Sequence, residues 1–266
     1  MTSFRRCAQI FLLLSLAAMQ AACSSPDPNR RLTTNWIIQP TDVATEPVRV
    51  ESGGTVIRQT LHPDGAAQLS ADVQHGTGED DLLAEGTVLY RVRNPVANVY
   101  CATNLANTST LNAIFLNSTN AQRCLVDEDQ DGAFESAFTV RSPIEGVPIV
   151  NGLLPTERRP IEPPVAYEKA EPSIVGDTYW VEIEYRGRPL LYDRRNFGIQ
   201  YGNDRVDQRL TSFQHVDGDE LPQSLNMLGS SFTVLEEDDD GLLIRIDRPM
   251  APLPFSVTQI TTYSYY

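Results

Sequence analysis

Short stretches of alternating side chains, broken at regular intervals by Gly, Pro, Asn and Asp, constrain this chain more than any other feature. In Thr178–Tyr185, Tyr179, Val181, Ile183 and Tyr185 share one parity and Glu182 and Glu184 the other. Period two is the signature of a strand with one face turned to a core. Arg186–Pro189 then reads as a turn into Leu190–Tyr192. Ser231–Glu236 and Leu242–Asp247 read as a hairpin closed by an acidic turn. Thr55–Leu61 and Ala67–Val73 read as another, across His62-Pro63-Asp64-Gly65. Thr87–Arg93, Asn98–Ala102 and Phe255–Tyr263 add strand candidates rich in β-branched and aromatic residues. No segment shows the 3.6-residue period of an amphipathic helix. The class expected is all-β, with sandwich-like antiparallel sheets of short strands arranged as one unit or as two lobes.

Length and composition fit that class. The chain has 266 residues, 41% of them apolar, enough for a sizeable core. The one shift in composition is Leu154–Pro172, where Pro155, Pro160, Pro163, Pro164 and Pro172 crowd together. Proline donates no ladder hydrogen bond, so this stretch is not expected as a central strand. It reads as a linker or an edge crossover, with a possible internal boundary at 154–172 in a globular region spanning 36–266.

The first 22 residues read as an export signal. Arg5 and Arg6 precede an apolar run, Ile10–Met19, of about ten residues. That is too short to span a bilayer as a helix. Met19-Gln20-Ala21-Ala22-Cys23 resembles the lipobox of bacterial lipoproteins, with Ala21, Ala22 and Cys23 on the motif and Gln20 departing from it. The resemblance implies cleavage before Cys23 and lipidation of that cysteine. With Ser24 next, it implies an outer-membrane lipoprotein of the cell envelope, held to the membrane by its lipid. Ordinary secretion is the alternative. Residues 23–35 are polar and Pro-containing at their start and read as a tether.

Export sets the chemistry of the remaining cysteines. Cys7 leaves with the signal and Cys23 takes the lipid, which leaves Cys101 and Cys124 in an oxidising compartment. A disulfide between them closes a loop of about 24 residues and contributes roughly 3 kcal/mol.

Directly after Cys124 comes Asp127-Glu128-Asp129-Gln130-Asp131-Gly132-Ala133-Phe134-Glu135. This spacing resembles the calcium loops of EF-hands and related sites. Asp127, Asp129 and Asp131 match the first, third and fifth ligands, the Ala133 carbonyl the seventh and Glu135 the ninth. Phe138 stands at the twelfth position and the flanks read as strands, so the form implied is a shorter Ca2+ loop closed by Glu135. The competing reading is a solvated acidic turn. Glu236–Gly241 is a weaker version, because three adjacent aspartates cannot all face one ion. His215–Glu220 reads as a surface turn.

The formal charge is −14, and −16 once Arg5 and Arg6 are removed with the signal. A charge of that sign repels nucleic acid and anionic lipid surfaces. The sequence holds three histidines, no H-E-x-x-H and no G-x-S-x-G. The leading expectation is an envelope protein with a non-enzymatic binding or structural role, its partner an envelope protein or a glycan. The alternative is an exported hydrolase using two carboxylates on a β scaffold.

Overall fold

In the computed structural model the described residues are 28–42, 46–74, 82–103, 120–142, 145–189, 194–217 and 221–257. The export signal, Cys23 and Leu190–Tyr192 lie outside them. Among the described residues, twenty strands, numbered in chain order, and two single 3-10 turns make up the regular structure. The protein is all-β.

One lobe is a closed barrel. Its strands run β10 (Asn120–Asp127), β11 (Ala133–Ser142), β13 (Arg159–Ala170), β5 (Ala66–Leu69), β8 (Val88–Val92) and β9 (Asn98–Ala102), each antiparallel to its neighbour. The other lobe stacks two sheets. Six strands follow the order β16 (Asp207–Asp217), β15 (Arg194–Gly202), β14 (Trp180–Tyr185), β4 (Thr55–Pro63), β2 (Trp36–Ile38) and β20 (Pro254–Phe255). Four follow the order β17 (Gln223–Met227), β18 (Ser230–Asp238), β19 (Gly241–Arg248) and β3 (Val48–Val50). Two small ribbons, β1 (Arg31–Thr33) with β12 (Asn151–Leu153) and β6 (Val73–Gln74) with β7 (Leu82–Leu83), complete the pairing.

The alternation explains the packing. Leu89, Tyr100, Leu125, Phe134 and Tyr167 fill the barrel. Residues of opposite parity on the same strands, Tyr90, Cys101 and Cys124, belong to the core of the stacked sheets. The wall β8-β9-β10 is therefore buried on both faces and is common to the two lobes. Trp36 of β2 meets Tyr90 at 5.7 Å between ring centroids, and Phe197 of β15 meets Phe232 of β18 at 5.2 Å. Burying this contiguous apolar surface is the main source of stability.

Three expectations are corrected. Thr55–Leu61 and Ala67–Val73 do not form a hairpin. β4 pairs with β2 and β14, whereas β5 pairs with β13 and β8. Asp64-Gly65 is thus a corner between lobes, with His62 and Pro63 ending β4, because turn residues specify a change of direction and not which strands pair. The proline-rich stretch is not a linker but the barrel strand β13, though its prolines are paired on one side only: residues 159–166 pair with β11 and residues 167–170 with β5. Between the partners Phe134↔Val165 and Ser136↔Pro160 the register shifts, so residues 161–164, with two of the prolines, face Glu135 alone. The missing N–H groups fall in this bulge, where no ladder bond needs them. Finally, the folded part starts inside the stretch expected as a tether. Leu32 of β1 is only 2% exposed.

The expected outward face of β14 is also covered. Glu182 is 4% exposed and Glu184 2%. The Arg58 Nε donates to Glu182 at 2.7 Å and Arg209 to Glu184 at 2.6 Å. Arg58 also lies over the Trp180 ring, 4.1 Å from its centroid. The arginine stems shield carboxylates that the alternation alone would leave in water.

Candidate metal centre

The acidic loop is the hairpin turn between β10 and β11, at one mouth of the barrel. Two residues upstream of Asp127 is Leu125, which points into the barrel; Asp127 has the same parity. Its carboxylate therefore enters the mouth, with the residue 0% exposed. A buried carboxylate needs partners. Asp127 Oδ2 accepts from the Tyr167 hydroxyl at 2.7 Å, from Asn98 Nδ2 at 3.0 Å and from the Gly132 N–H at 3.3 Å. Oδ1 accepts from the Asp131 N–H at 3.1 Å.

The rest of the turn folds around that anchor. Asp129 Oδ1 accepts from the Asp131 N–H at 3.2 Å, and Asp131 Oδ1 from the Ala133 N–H at 2.9 Å. These are local side-chain to backbone bonds of the kind Asp favours in turns. Gly132 has φ +96°, a conformation costly for any residue with a Cβ, which accounts for glycine at the sixth position.

The bulge in β11 supplies the fourth carboxylate. Glu135 sits where the register shifts, and its Oε2 turns back to accept from the Glu128 N–H at 2.7 Å. Re-aiming a side chain in this way is a common use of bulges. Partial burial, together with the nearby Asp127 and Asp129 charges, pushes the Glu135 carboxyl above its ordinary value despite the backbone N–H it accepts from.

Asp127, Asp129, Asp131 and Glu135 thus converge, each offering an oxygen within 4.8 Å of the others. This group could hold a metal ion. Ala133 is placed consistently with the seventh ligand. It stands opposite Ala166, and the flanking bond runs from the Tyr167 N–H to the Gly132 carbonyl. In an antiparallel ladder that geometry turns the Ala133 carbonyl away from β13, toward the loop side.

Glu128 is engaged elsewhere. Its Oε1 accepts from Ser136 Oγ at 2.6 Å and from Arg158 Nη2 at 2.9 Å, and these contacts hold its carboxyl below the ordinary range. Cys101 and Cys124 are directly opposite on β9 and β10, Cα atoms 4.0 Å apart, and are joined as a disulfide. The bond ties the base of the hairpin to the strand that carries Asn98.

No family matches. Comparison with family models, with characterised proteins and with solved structures finds nothing similar to this chain. The site is therefore read from its own residues. Asn98 and Tyr167 are the two members that the local sequence does not single out. They lie 29 and 40 residues from Asp127 and reach it only through the barrel's register.

Proposed function

We propose that this protein is an exported, lipid-anchored envelope protein with a binding or assembly role, and that its barrel lobe is stabilised by calcium. The observation that carries the calcium reading is the convergence of Asp127, Asp129, Asp131 and Glu135 on a pre-shaped turn. Calcium binds oxygen at about 2.3–2.6 Å, so ligand oxygens on opposite sides of one ion are up to ~5 Å apart. Magnesium requires ~2.0–2.1 Å and near-ideal octahedral geometry, which fits this turn less well. A divalent cation also offsets four carboxylates gathered at one spot. The envelope address is supported by Arg5-Arg6, the short apolar run and the lipobox-like Ala21-Ala22-Cys23.

Two experiments test the reading. Titration calorimetry of the purified protein should show one calcium site, weaker for magnesium and lost in Asp129→Ala. Labelled fatty acid should incorporate into the wild type and not into Cys23→Ser. Absence of calcium heat would end the metal reading. Absence of label on the wild type would leave a secreted protein.

A further inference from the structure

Many arginines of this chain are neutralised: Arg49, Arg58, Arg93, Arg158, Arg195 and Arg245 each face a carboxylate. Among the described residues Arg30, Arg31, Arg91, Lys169, Arg205 and Arg248 do not, and Arg31, Arg91 and Lys169 are gathered in one place. Among the described residues no acidic group lies within ion-pair distance of any of the three, and Lys169 is the chain's single lysine. All three line one pair of adjacent cavities. Lys169, Tyr100 and Asn98 border a recess of about 180 Å3 at the barrel mouth. Arg31, Asn35 and Pro28 border a neighbouring groove of about 520 Å3. Arg91 forms a wall of both.

We infer that this cationic groove binds the phosphate of a lipid headgroup in the membrane that carries the anchor. The inference rests on the lipid-anchor reading above. Arg and Lys are the side chains that recognise phosphate, and the groove wall adds the Asn35 amide. Pro28 is five residues from Cys23, and five extended residues reach at most about 18 Å. A chain tethered at Cys23 holds this groove against the headgroups. The net charge of −16 does not prevent this. The Debye length at physiological salt is about 8 Å, so a lipid surface feels the nearest charges and little of the rest. The acidic loop opens at the same mouth, where Asn98 both borders the recess and donates to Asp127, so the three cations dominate that surface once calcium offsets Asp127, Asp129, Asp131 and Glu135.

Sedimentation with vesicles tests this on residues 24–266, which lack both the apolar export signal and the acylated cysteine. In millimolar calcium it should bind phosphatidylglycerol-containing vesicles, not phosphatidylcholine alone, and release them as salt rises. Each charge near the surface is worth about fivefold. Arg31→Gln, Arg91→Gln and Lys169→Gln together should weaken binding roughly a hundredfold. Lys169→Glu alone, on an exposed side chain, should weaken it about thirtyfold, which keeps the test valid should the triple variant misfold. Arg49→Gln, Arg205→Gln and Arg245→Gln, the same charge change on the other lobe, should leave it within a few-fold. Equal loss in both triple variants, or no preference for phosphatidylglycerol, would overturn the inference. Displacement by inorganic phosphate at matched concentration would assign the groove to a soluble oxyanion and overturn the lipid assignment. Because the acyl group is absent, such a failure is distinct from a failure of fatty-acid labelling.

Discussion

Two hairpins of this protein end in acidic turns, and only one gathers its charges. At 127–135 the carboxylates alternate, and Asp127, Asp129, Asp131 and Glu135 come within 4.8 Å of one another. At Glu236–Gly241 they are adjacent, and the structure disperses them onto cations. Arg49 pairs with Asp238, whose Oδ1 also accepts from the Asp240 N–H. Arg195 pairs with Glu237, and Arg188 lies 3.9 Å from the same carboxylate. The first turn has its own arginine, Arg158, but it holds Glu128, the acid that is out of phase with the cluster. Composition is therefore a poor guide to a cation site. Spacing decides which acids can converge, and the placement of arginines decides which remain available. The supports also differ, since a disulfide, the buried Tyr167 and the half-buried Asn98 underlie the first turn.

The largest effect should come from removing that support. Cys101→Ala with Cys124→Ala should cost about 3 kcal/mol, the entropy of the closed loop. Thermal melting should show a fall of roughly 10 °C, since 1 kcal/mol shifts a protein of this size by about 2–4 °C. Calcium affinity should fall with it. Arg195→Ala tests the other turn. Arg195 is buried and also donates to the Asp217 carbonyl, so its loss should cost about 2 kcal/mol in chemical denaturation. It should not create a calcium response. If it did, arginine pairing alone and not spacing would separate the two turns. The smallest effect is expected for Tyr167→Phe, which removes one donor to Asp127 while Asn98 and Gly132 remain. A loss of about 1 kcal/mol without a change in secondary structure is expected, with calcium binding weakened a few-fold.

Much of this was legible in the residues. Asn98–Ala102 appears with the expected bounds, and Ser231–Glu236 pairs with Leu242–Asp247 as its alternation requires. Asp127, Asp129 and Asp131 are in phase in the sequence because a turn with Gly132 at the sixth position needs only local information, whereas Glu135 joins them through the bulge against β13. What was not legible is non-local. Asn98 and Tyr167 meet Asp127 through the barrel's closure, which no period reveals. His62–Gly65 carries every signal of a hairpin turn, yet its flanking strands find better partners in separate sheets. Pro163 and Pro164 argue against a central strand only if the ladder is unbroken, and the bulge opposite Glu135 breaks it. Glu182 and Glu184 read as solvent-facing because alternation reports side-chain direction and is silent about arginines arriving from neighbouring strands.

The claim that the first turn, and not the second, is a calcium site is tested most directly by scanning calorimetry in chelator and in millimolar calcium. At a hundredfold excess over Kd, binding adds about 2.7 kcal/mol to the folded state, which raises Tm by roughly 5–10 °C. The wild type and Asp239→Ala should both show that rise, and Asp129→Ala should show none. A wild-type Tm unchanged by calcium, or a rise that persists in Asp129→Ala, would contradict the claim.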